Sequence, residues 1–525
     1  MDYTSRIIYL YQNEVCFSLF LADLLYKLQY FLIKKGLTNF VFLSSKENKN
    51  RKELINLISE KADYLICRSA RLGLTLRKFK CEIILDCEVA KLPKLRQGEM
   101  YALMWTLVFC SYVTEKTKYS SKGFIPENFP VKKSIFIPYH DRLDLLCDYI
   151  FQTAKVLSSK GYLVHLIPLT YPISIFKKLT GKKIKSNLDF LNKNKIIVNF
   201  PPSVFPESLH RYGSIMKINK KTSHLYSIFL TKVIKPDLIW CFDPQDYKLI
   251  EATKKLTKSI YDCVDYFSTL DQSFDREIKK NEKKLISAVD YFFVNSKTLF
   301  QLKKKIRTPD AVVVQGFDQE QFTSQDPLTS VEQKELSYLT KKFKMIPHPR
   351  VGFIGNITFR IDFELFLPVV RNMKEVSFVF TDTPLSMPAD DKFANIEVDI
   401  NELKKAKNVY FLPRTESRKV IREFLKNIDI GMIPYNIEYD LNRFCYPMKL
   451  FEYFYAEKPV VSTSIDELRI FPNFVKIGRT DMEWGRIIVD FMSKPWPQKY
   501  KEEQRDLALK NSWENKIGSI LNLIV

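Results

Sequence analysis

Glycine is scarce in this sequence, and the motifs of several protein classes are missing from it. Only 14 of the 525 residues are glycine and five are histidine. The nine cysteines form no Cys-x-x-Cys pair, and most of them stand in apolar runs. This usage is typical of reduced core cysteines, and it argues against a disulfide scaffold and against a zinc site.

Targeting signals and long apolar runs are also missing. The start, MDYTSRIIYLYQNEVCF, lacks the basic region and the small-residue cleavage site of a signal peptide. The longest uncharged apolar run, Tyr101 to Val113, is shorter than the ~20 residues that a bilayer requires. These absences predict a cytoplasmic protein without a spanning helix.

The chain has a large excess of positive charge. Its net charge of +22 predicts attraction to anions, although a lysine-rich solvated surface is the simpler alternative. Aromatic and leucine residues stand near the basic stretches, as expected for a surface that rests on anionic lipid. No nucleic-acid-binding signature accompanies them, so we expect no nucleic-acid partner. The densest basic stretches all lie in the middle third, at 177–187, 218–235, 276–284 and 301–307.

The order of apolar strands and helices predicts an α/β fold with more than one domain. Residues 345–497 alternate short apolar strands with helices of about ten residues, the pattern of a parallel sheet covered on both faces. Residues 131–325 follow the same order, and 323–349 is predicted to connect the two regions. Residues 1–130 repeat the order in smaller form, since RIIYLY parallels SIFIPY, which predicts an extra Rossmann-like domain and a degenerate duplication.

The strongest candidate site is the stretch YPMKLFEYFYAEKPVV. Pro447 suits the first turn of a helix, so Lys449 places a cation where the helix already carries partial positive charge. The conflict disappears if an anion lies there, because backbone N–H groups and a lysine together form a phosphate site. Glu452 can accept hydrogen bonds from the hydroxyls of a ribose. An ordinary amphipathic helix with a solvated Lys–Glu pair is the alternative.

A second candidate site lies in RVGFIGNITFRIDF. A strand closes on Gly355 and leads into a helix with Arg360 near its beginning. Glycine lets the backbone approach a phosphate, and arginine binds phosphate with a fork of donors. A plain strand-to-helix turn is the alternative. Both sites follow strands of one parallel sheet, where open α/β folds bind ligands, so together they predict a diphosphate site.

Three stretches carry a resemblance to a known family: VGFIGNITFRIDFELF, NVYFLPRTESRKVIREFLKNIDIGMIPY and YPMKLFEYFYAEKPVVSTSIDEL. They resemble the donor domain of retaining GT-B glycosyltransferases of the group called family four, above all the teichuronic-acid and exopolysaccharide types. The resemblance covers roughly residues 133–500. It implies two Rossmann-like domains facing across a cleft, with 131–325 on the acceptor side, 345–497 binding the nucleotide-sugar donor, and helices of 498–525 packing back across the cleft.

The resemblance also implies an activity. The chain would be a metal-independent, hexosyltransferase-like enzyme that moves a sugar from a nucleotide-diphosphate sugar to a glycan or lipid-linked acceptor in cell-surface polysaccharide synthesis. It would need no cofactor, and the absence of any Asp-x-Asp motif agrees with the absence of a metal. It would work in the cytoplasm, at the inner face of the plasma membrane.

Roles for donor-site residues follow from the same resemblance. Lys449 and Arg360 would hold the donor diphosphate and stabilise the leaving group, and Glu452 would hold the ribose. Gly355 and Asn356 would form the loop beside the diphosphate.

The resemblance assigns further residues around the donor. Pro413 and Arg414 would border the nucleobase. Asp262 and Asp265 would lie at the cleft on the acceptor side, with Asp265 among the catalytic residues.

Two departures from the family pattern keep other functions open. Many members have a glutamate that holds the donor sugar eight positions before the residue matching Glu452, and here that position is Phe444. The glycine-rich loop after the first acceptor-domain strand is replaced by PYHDRLD, where His140, Asp141 and Arg142 would line the cleft and His140 would join the catalytic set. The alternatives are a non-catalytic GT-B-like binding or scaffold protein, or a nucleotide-sugar epimerase on the same fold.

Overall fold

A computed structural model describes thirteen segments of the chain, which forms two compact units. One unit comprises Met1–Tyr261 with Ala288–Asp290, and the other Asp262–Ser287 with Tyr291–Val525. None of the helices in the described segments combines the length and the apolarity needed to cross a bilayer. The described segments are 7–11, 41–44, 64–67, 82–85, 133–140, 149–168, 173–174, 196–198, 202–203, 213–268, 272–382, 394–415 and 417–524.

The described part of the first 130 residues is a small parallel sheet. Its strands have the order β2-β1-β3-β4, with parallel pairing throughout. Strand β1 coincides with RIIYLY, from which the duplication was inferred, and that duplication stays a prediction. The strands are β1 (Ile7–Tyr11), β2 (Val41–Ser44), β3 (Tyr64–Cys67) and β4 (Glu82–Leu85).

A seven-stranded sheet follows, in the order β13-β12-β11-β10-β5-β6-β8. Its strands are short apolar runs, and β5 and β10 are buried almost throughout, as expected for a sheet covered on both faces. Strands β7 and β9 pair separately. The strands are β5 (Ser134–Tyr139), β6 (Leu163–Pro168), β7 (Ile173–Ser174), β8 (Ile196–Val198), β9 (Pro202–Ser203), β10 (Leu238–Cys241), β11 (Lys258–Cys263), β12 (Tyr291–Val294) and β13 (Ala311–Val312).

Six helices accompany these strands. The first ends before Gly161, whose φ of +87° suits a left-handed helix stop. Residues 141–148, which precede this helix, lie outside the described residues. The helices are α1 (Tyr149–Ser159), α2 (Gly213–Ile234), α3 (Tyr247–Thr253), α4 (Gln272–Ala288), α5 (Lys297–Lys303) and α6 (Gln319–Thr323).

The segment predicted as a polar connection, 323–349, contains helix α7 (Ser330–Phe343). Thr329 and Glu332 form a capping box, in which each side chain accepts a hydrogen bond from the backbone of the other residue. Leu339 and Phe343 are buried, so the helix packs by one apolar edge. The connection is therefore an ordered part of the second unit.

The C-terminal sheet has six parallel strands in the order β16-β15-β14-β17-β18-β19. Its first and fourth strands are neighbours, so the chain changes direction between them, and this change marks the usual ligand-binding edge of a doubly wound sheet. Each predicted strand of this region is present, with ends shifted by one or two residues. The strands are β14 (Arg350–Phe353), β15 (Ser377–Phe380), β16 (Val409–Phe411), β17 (Ile430–Ile433), β18 (Val460–Ser462) and β19 (Val475–Ile477).

Helices pack on this sheet around an aromatic core. Phe366 and Trp484 are fully buried and contact each other with ring centroids 6.3 Å apart. Burial of each such side chain contributes roughly 1.5–3 kcal/mol. The helices are α8 (Phe363–Asn372), α9 (Ala394–Lys405), α10 (Arg418–Lys426), α11 (Asp440–Arg443), α12 (Lys449–Tyr455) and α13 (Asp481–Ser493).

The chain ends in the predicted pair of helices, α14 (Gln498–Lys510) and α15 (Trp513–Leu523). Lys516 on α15 forms a buried ion pair with Asp262, 3.2 Å between Nζ and Oδ1. Breaking a buried pair leaves an uncompensated charge, so this contact fixes the position of α15 in the second unit.

Candidate functional site

The first site lies at the change of direction in the six-stranded sheet. Gly355 follows β14, and Tyr435 follows the neighbouring β17. The two following loops are joined, because Ile361 pairs with Tyr435 in an antiparallel bridge and Asn436 N donates to Arg360 O at 2.8 Å. Backbone hydrogen bonds therefore place Arg360 beside Tyr435.

Arg360 and Lys449 meet at the ring of Tyr435. The Arg360 Cζ lies 4.6 Å from the ring centroid, and the Lys449 Nζ lies 4.7 Å from it. The ammonium also lies 3.8 Å from the ring centroid of Phe353. Arg360 Nε donates to Asn442 Oδ1 at 2.7 Å, which fixes the guanidinium. The structure thus brings together the two cations that the sequence predicted to converge.

Neither cation is neutralised by a carboxylate. In the described segments no Asp or Glu lies at salt-bridge distance from Arg360 or Lys449. Both side chains are half-buried. Burial lowers the pKa of Lys449, and Arg360 lowers it further. Two cations that are partly removed from solvent and have no carboxylate partner repel each other. The arrangement therefore suits a bound anion with more than one negative charge.

Gly355 makes room beside the ammonium. Its φ of +116° is a conformation that other residues rarely adopt, and a Cβ there would lie 3.4 Å from Lys449 Nζ. A side chain at position 355 would therefore lie between the backbone and the Lys449 ammonium. The next residue, Asn356, is exposed at the same turn.

Helix α12, which carries Lys449 and Glu452, is fixed to the sheet by Tyr453. The Tyr453 hydroxyl accepts a hydrogen bond from Ile354 N at 3.3 Å and lies 3.0 Å from Gly352 O. Its ring occupies the space that a side chain on Gly431 would need, since a Cβ there would lie 2.7 Å from the ring. The first turn of α12 is thus held against β14 and β17.

Glu452 is buried and paired with an arginine that the sequence analysis missed. Its Oε1 lies 2.9 Å from Nη1 of Arg418, the first residue of α10. Burial raises the pKa of Glu452, and the charges of Arg418 and Lys449 oppose that rise. A carboxylate accepts about four hydrogen bonds, so the contact with Arg418 leaves acceptor capacity for a ligand.

The loop before α10 contains the residues predicted to border a nucleobase. Pro413 and Arg414 are exposed. The following residues are held by α7, because Thr415 Oγ1 donates to Glu335 at 2.7 Å and Ser417 Oγ donates to Glu332 at 2.7 Å. The end of the loop nearest α10 is therefore held by α7, whereas Pro413 and Arg414 are exposed to solvent.

Asp265 lies in the electrostatic field of Arg360. Burial raises the pKa of its carboxyl group to about 6, although the Arg360 charge opposes the rise. The adjacent Tyr266 contacts Phe444 edge to face, with ring centroids 5.1 Å apart. Asp262 is instead part of the buried pair with Lys516. Of the two aspartates, only Asp265 is associated with the cation pair.

His140 belongs to a separate arrangement in the first unit. It follows β5, and its Nε2 lies 2.7 Å from Oδ1 of Asp246, which follows β10 and is fully buried. Burial alone would lower the pKa of His140, but the charges of Asp246 and Asp243 outweigh it and raise the pKa. Asp141 and Arg142 lie outside the described residues.

Tyr435, Arg418 and Asp246 were missed because each contributes through contacts between distant segments. A polar side chain just after a buried strand was the available signal for Tyr435 and Asp246. Arg418 had only its place at a helix start, where a cation is unfavourable unless it is paired. In the described part of the chain, no three His, Cys, Asp or Glu side chains group as a metal site requires.

Known proteins resemble this chain in sequence and in fold. No family model matches the sequence. A Bacillus subtilis (strain 168) protein, TuaH, whose name describes it as a teichuronic acid biosynthesis glycosyltransferase, is 25% identical over 289 residues. The match covers 51% of this chain and 66% of TuaH, so the chain spans just under two thirds of that relative.

Solved structures give a broader match. The sucrose-phosphate synthase of Thermosynechococcus elongatus matches 75% of this chain and 98% of its own, with a TM-score of 0.55 and 11% identity. Anabaena Alr3699/HepE, solved in complex with UDP and glucose, matches 74% and 98%, with a TM-score of 0.52 and 13% identity. The predicted GT-B fold class and the predicted resemblance to teichuronic-acid-type glycosyltransferases are thus confirmed, and the retaining outcome stays a prediction.

Proposed function

We propose that this chain is a glycosyltransferase that moves a sugar from a nucleotide-diphosphate sugar to a glycan or lipid-linked acceptor in cell-surface polysaccharide synthesis. The observation that carries the proposal is the convergence of Arg360 and Lys449 on the Tyr435 ring, without a carboxylate partner among the described residues. A diphosphate supplies the anion that this arrangement suits. The name of TuaH, and the UDP and glucose in the HepE structure, support the same choice.

The chemistry follows from the charge that develops during transfer. As the bond from the sugar to the diphosphate breaks, negative charge grows on the departing oxygen, and cations fixed there stabilise the transition state. Arg360 and Lys449 fill this role, beside the backbone of Gly355 and Asn356. The two side chains supply the positive charge that a metal ion supplies elsewhere, so we expect full activity in excess chelator.

The remaining donor contacts are assigned from the same arrangement. Glu452 holds the ribose hydroxyls, and the exposed Pro413 and Arg414 border the nucleobase. In this assignment residues 345–497 bind the donor, 131–325 serve the acceptor, and 1–130 form an additional domain.

Two residues are proposed for proton transfer and charge on the acceptor side. His140 holds the proton on Nε2 through Asp246, which leaves Nδ1 to act on an acceptor hydroxyl. Asp265, with its pKa raised by burial, lies in the electrostatic field of Arg360. A retaining outcome is proposed from the family resemblance alone.

An anionic membrane surface is the proposed place of work, at the cytoplasmic side. Exposed lysines recur every three or four residues along α4 and therefore share one face. The segment after α5 lies beside that face, because Lys303 pairs with Glu282 and Arg307 Nη1 lies 3.4 Å from Ile286 O. It adds an exposed apolar side chain, Ile306, 36% accessible. The exposed lysines are Lys279, Lys280, Lys283, Lys284, Lys304 and Lys305.

Nucleotide binding tests the proposal most directly. Thermal unfolding of the full chain is measured with UDP, GDP, ADP and their glucose conjugates, each at up to 1 mM. A ligand at a hundred times its Kd stabilises a protein by about 2.7 kcal/mol. We expect one nucleoside diphosphate to raise Tm by several degrees in wild type and by much less in Lys449→Ala. Equal shifts in both proteins would refute the donor site.

One observation favours a second function. Phe444, where many family members have a sugar-binding glutamate, packs against Tyr266 instead of offering a carboxylate. A non-catalytic binding protein with the GT-B fold would show this change. It would bind nucleotide sugar without releasing the free nucleotide or a glycosylated product, which distinguishes it from the enzyme.

A further inference from the structure

Arg418 and Glu452 form an ion pair that is almost removed from solvent. Their side chains are 12% and 11% exposed, and Nη1 lies 2.9 Å from Oε1. Surface ion pairs contribute little, but removal of one partner from a buried pair is costly because the other charge stays behind. The two residues lie on different helices, α10 and α12, so the pair also sets the distance between them.

Glu452 depends on this arginine for its charge. Burial disfavours the ionised form, so without a cation the glutamate would bind a proton more readily. A protonated carboxyl group has lost an acceptor site and gained a donor, which makes it a poorer partner for two hydroxyl donors. Lys449 also opposes protonation, whereas the charge of Asp318 favours it, and a bound diphosphate would compete for the charge of Lys449. Arg418 is therefore the counter-ion that stays with Glu452 when ligand is bound.

Arg418 is itself placed by α7. Ser417 and Thr415, the residues just before it in the described chain, are bound through their hydroxyls to Glu332 and Glu335. Glu332 is also the capping-box residue of α7, so its orientation is fixed. The first residue of α10 is thus held from outside the helix.

We propose that Arg418 is the positioning residue for ribose recognition, which holds Glu452 ionised and in one rotamer so that Oε2 accepts the ribose hydroxyls. The inference deepens the proposed function and rests on it, since it assumes that Glu452 contacts the ribose of the nucleotide-sugar donor. Arg418 acts through Glu452 and has no assigned contact with the nucleotide.

The test compares UDP with 2′-deoxy-UDP. Their Kd values, measured by calorimetry at pH 7.5, give a ribose preference for each protein. We expect wild type to prefer UDP by about tenfold, the size of one hydrogen bond to a charged group. In Arg418→Ala and in Glu452→Gln the preference should fall to within about twofold. Arg418→Lys, which keeps a charge but not the fork of donors, should show an intermediate preference.

A pH series separates positioning from general damage to the fold. In Arg418→Ala the pKa of Glu452 is raised further, so the ribose preference should be smallest at pH 5.5 and recover partly towards pH 8.5. Wild type should vary little over this range. A merely destabilised protein would lose affinity for both nucleotides at every pH.

Arg422→Ala is the matched control. Arg422 lies one turn further along α10, and its Nη1 donates to a backbone carbonyl, Phe322 O, at 2.7 Å. This variant should keep the wild-type ribose preference. Retention of the preference in both Arg418→Ala and Arg418→Lys would overturn the inference while leaving a donor site that depends on Lys449 intact. If wild type binds neither UDP nor 2′-deoxy-UDP, the same comparison is made with GDP or ADP and its 2′-deoxy form. Failure of all three nucleoside diphosphates to bind wild type would overturn the donor site itself, and the inference with it.

Discussion

The two candidate sites treat buried charge in opposite ways. After β14 and β17, Arg360 and Lys449 share one aromatic ring and have no carboxylate partner in the described chain. After β5 and β10, His140 is paired with a fully buried aspartate at 2.7 Å. In our proposal an anionic ligand balances the first arrangement, whereas the protein's own aspartate balances the second. The proposed ligand site and the proposed proton-holding site thus differ in which charges the described residues leave uncompensated.

The difference determines what a substitution should do at each site. Removal of a cation from the first site relieves repulsion in the free protein, so it should not destabilise the fold. The loss should instead be one of activity, because negative charge develops on the donor during transfer. Removal of the carboxylate from the second site leaves the histidine buried without its counter-ion. The main effect should therefore be a change in the pKa of that histidine. The first site is therefore tested by measuring activity at one pH, and the second by measuring how activity depends on pH.

The largest effect is expected for Lys449→Ala. Loss of one group that stabilises a developing negative charge typically costs on the order of a hundredfold in kcat. The ammonium is held 3.8 Å from the Phe353 ring and 4.7 Å from the Tyr435 ring, so no neighbouring side chain can replace it at the same point. Release of nucleoside diphosphate from the preferred donor measures the change.

Lys426→Ala provides the control for that measurement. This lysine is 62% exposed on α10 and pairs only with Glu423 three residues away, within the described contacts. Its removal should leave kcat within about twofold, because surface ion pairs contribute little. Equal turnover in Lys449→Ala and wild type would remove the contrast between the two sites.

Asp246→Asn should have the next largest effect, a loss of about tenfold in kcat/KM on the alkaline side of the pH profile, where His140 is neutral in both proteins. This is less than the roughly hundredfold or more that a positioned acid or base supplies, because Asp246 only orients the ring. If the neutral His140 ring accepts the proton of the acceptor, kcat/KM rises as pH increases through its raised pKa. Without the Asp246 charge, burial lowers the pKa of His140, so the rise should move to lower pH. The pH profile of kcat/KM for wild type and variant measures the shift.

His140→Gln completes this test. Glutamine cannot titrate, so the rise assigned to His140 should disappear instead of moving. Persistence of the wild-type profile in both variants would show that the pair has only a structural role.

Asp265→Asn should cost less, about fivefold in kcat/KM. Because burial raises the pKa of Asp265 to about 6, its carboxylate forms above that pH and is lost below it. We therefore expect wild-type kcat/KM to fall as pH drops through about 6, and this limb to be absent from the variant. Asp262 is unsuitable as a control because of its buried pair with Lys516. Asp490→Asn, at an exposed position on α13, is a better one.

The comparison also explains what the sequence could and could not predict. Five strands of the six-stranded sheet were predicted, since each is an apolar run, and most of the helices between them have a one-sided apolar pattern. The edge strand β19 was missed, because only its first residue, Val475, is buried. Lys449 and Arg360 were found because a cation at a helix start conflicts with local electrostatics, and a conflict of this kind is visible in a short segment.

Partners from distant segments left no such signal. Tyr435, Asp246 and Arg418 lie 75, 106 and 34 residues from Arg360, His140 and Glu452, respectively, and only the strand order brings them together. Helix α9 was also missed, because its mixed polar sequence, ANIEVDINELKK, has a weak apolar pattern. The capped helix α7 was taken for a connection for the same reason.

The smallest effect is expected for Phe444→Leu, which tests whether the aromatic side of the cation site touches the sugar. Phe444 stands next to Cys445, whose thiol lies in the field of Arg360, and its ring packs on Tyr266 with centroids 5.1 Å apart. Leucine keeps the apolar volume but loses the ring. Affinity for the free nucleoside diphosphate should stay within twofold, while KM for the nucleotide sugar rises about threefold, because only the sugar would meet this surface. Phe491→Leu, at an aromatic pair on α13, a helix that carries no residue of the proposed site, should change neither value. An equal loss of affinity for the nucleoside diphosphate and for the nucleotide sugar would mean that Phe444 supports the diphosphate site as a whole. The site could then not be divided into a charged half that binds the nucleotide and an aromatic half that binds the sugar.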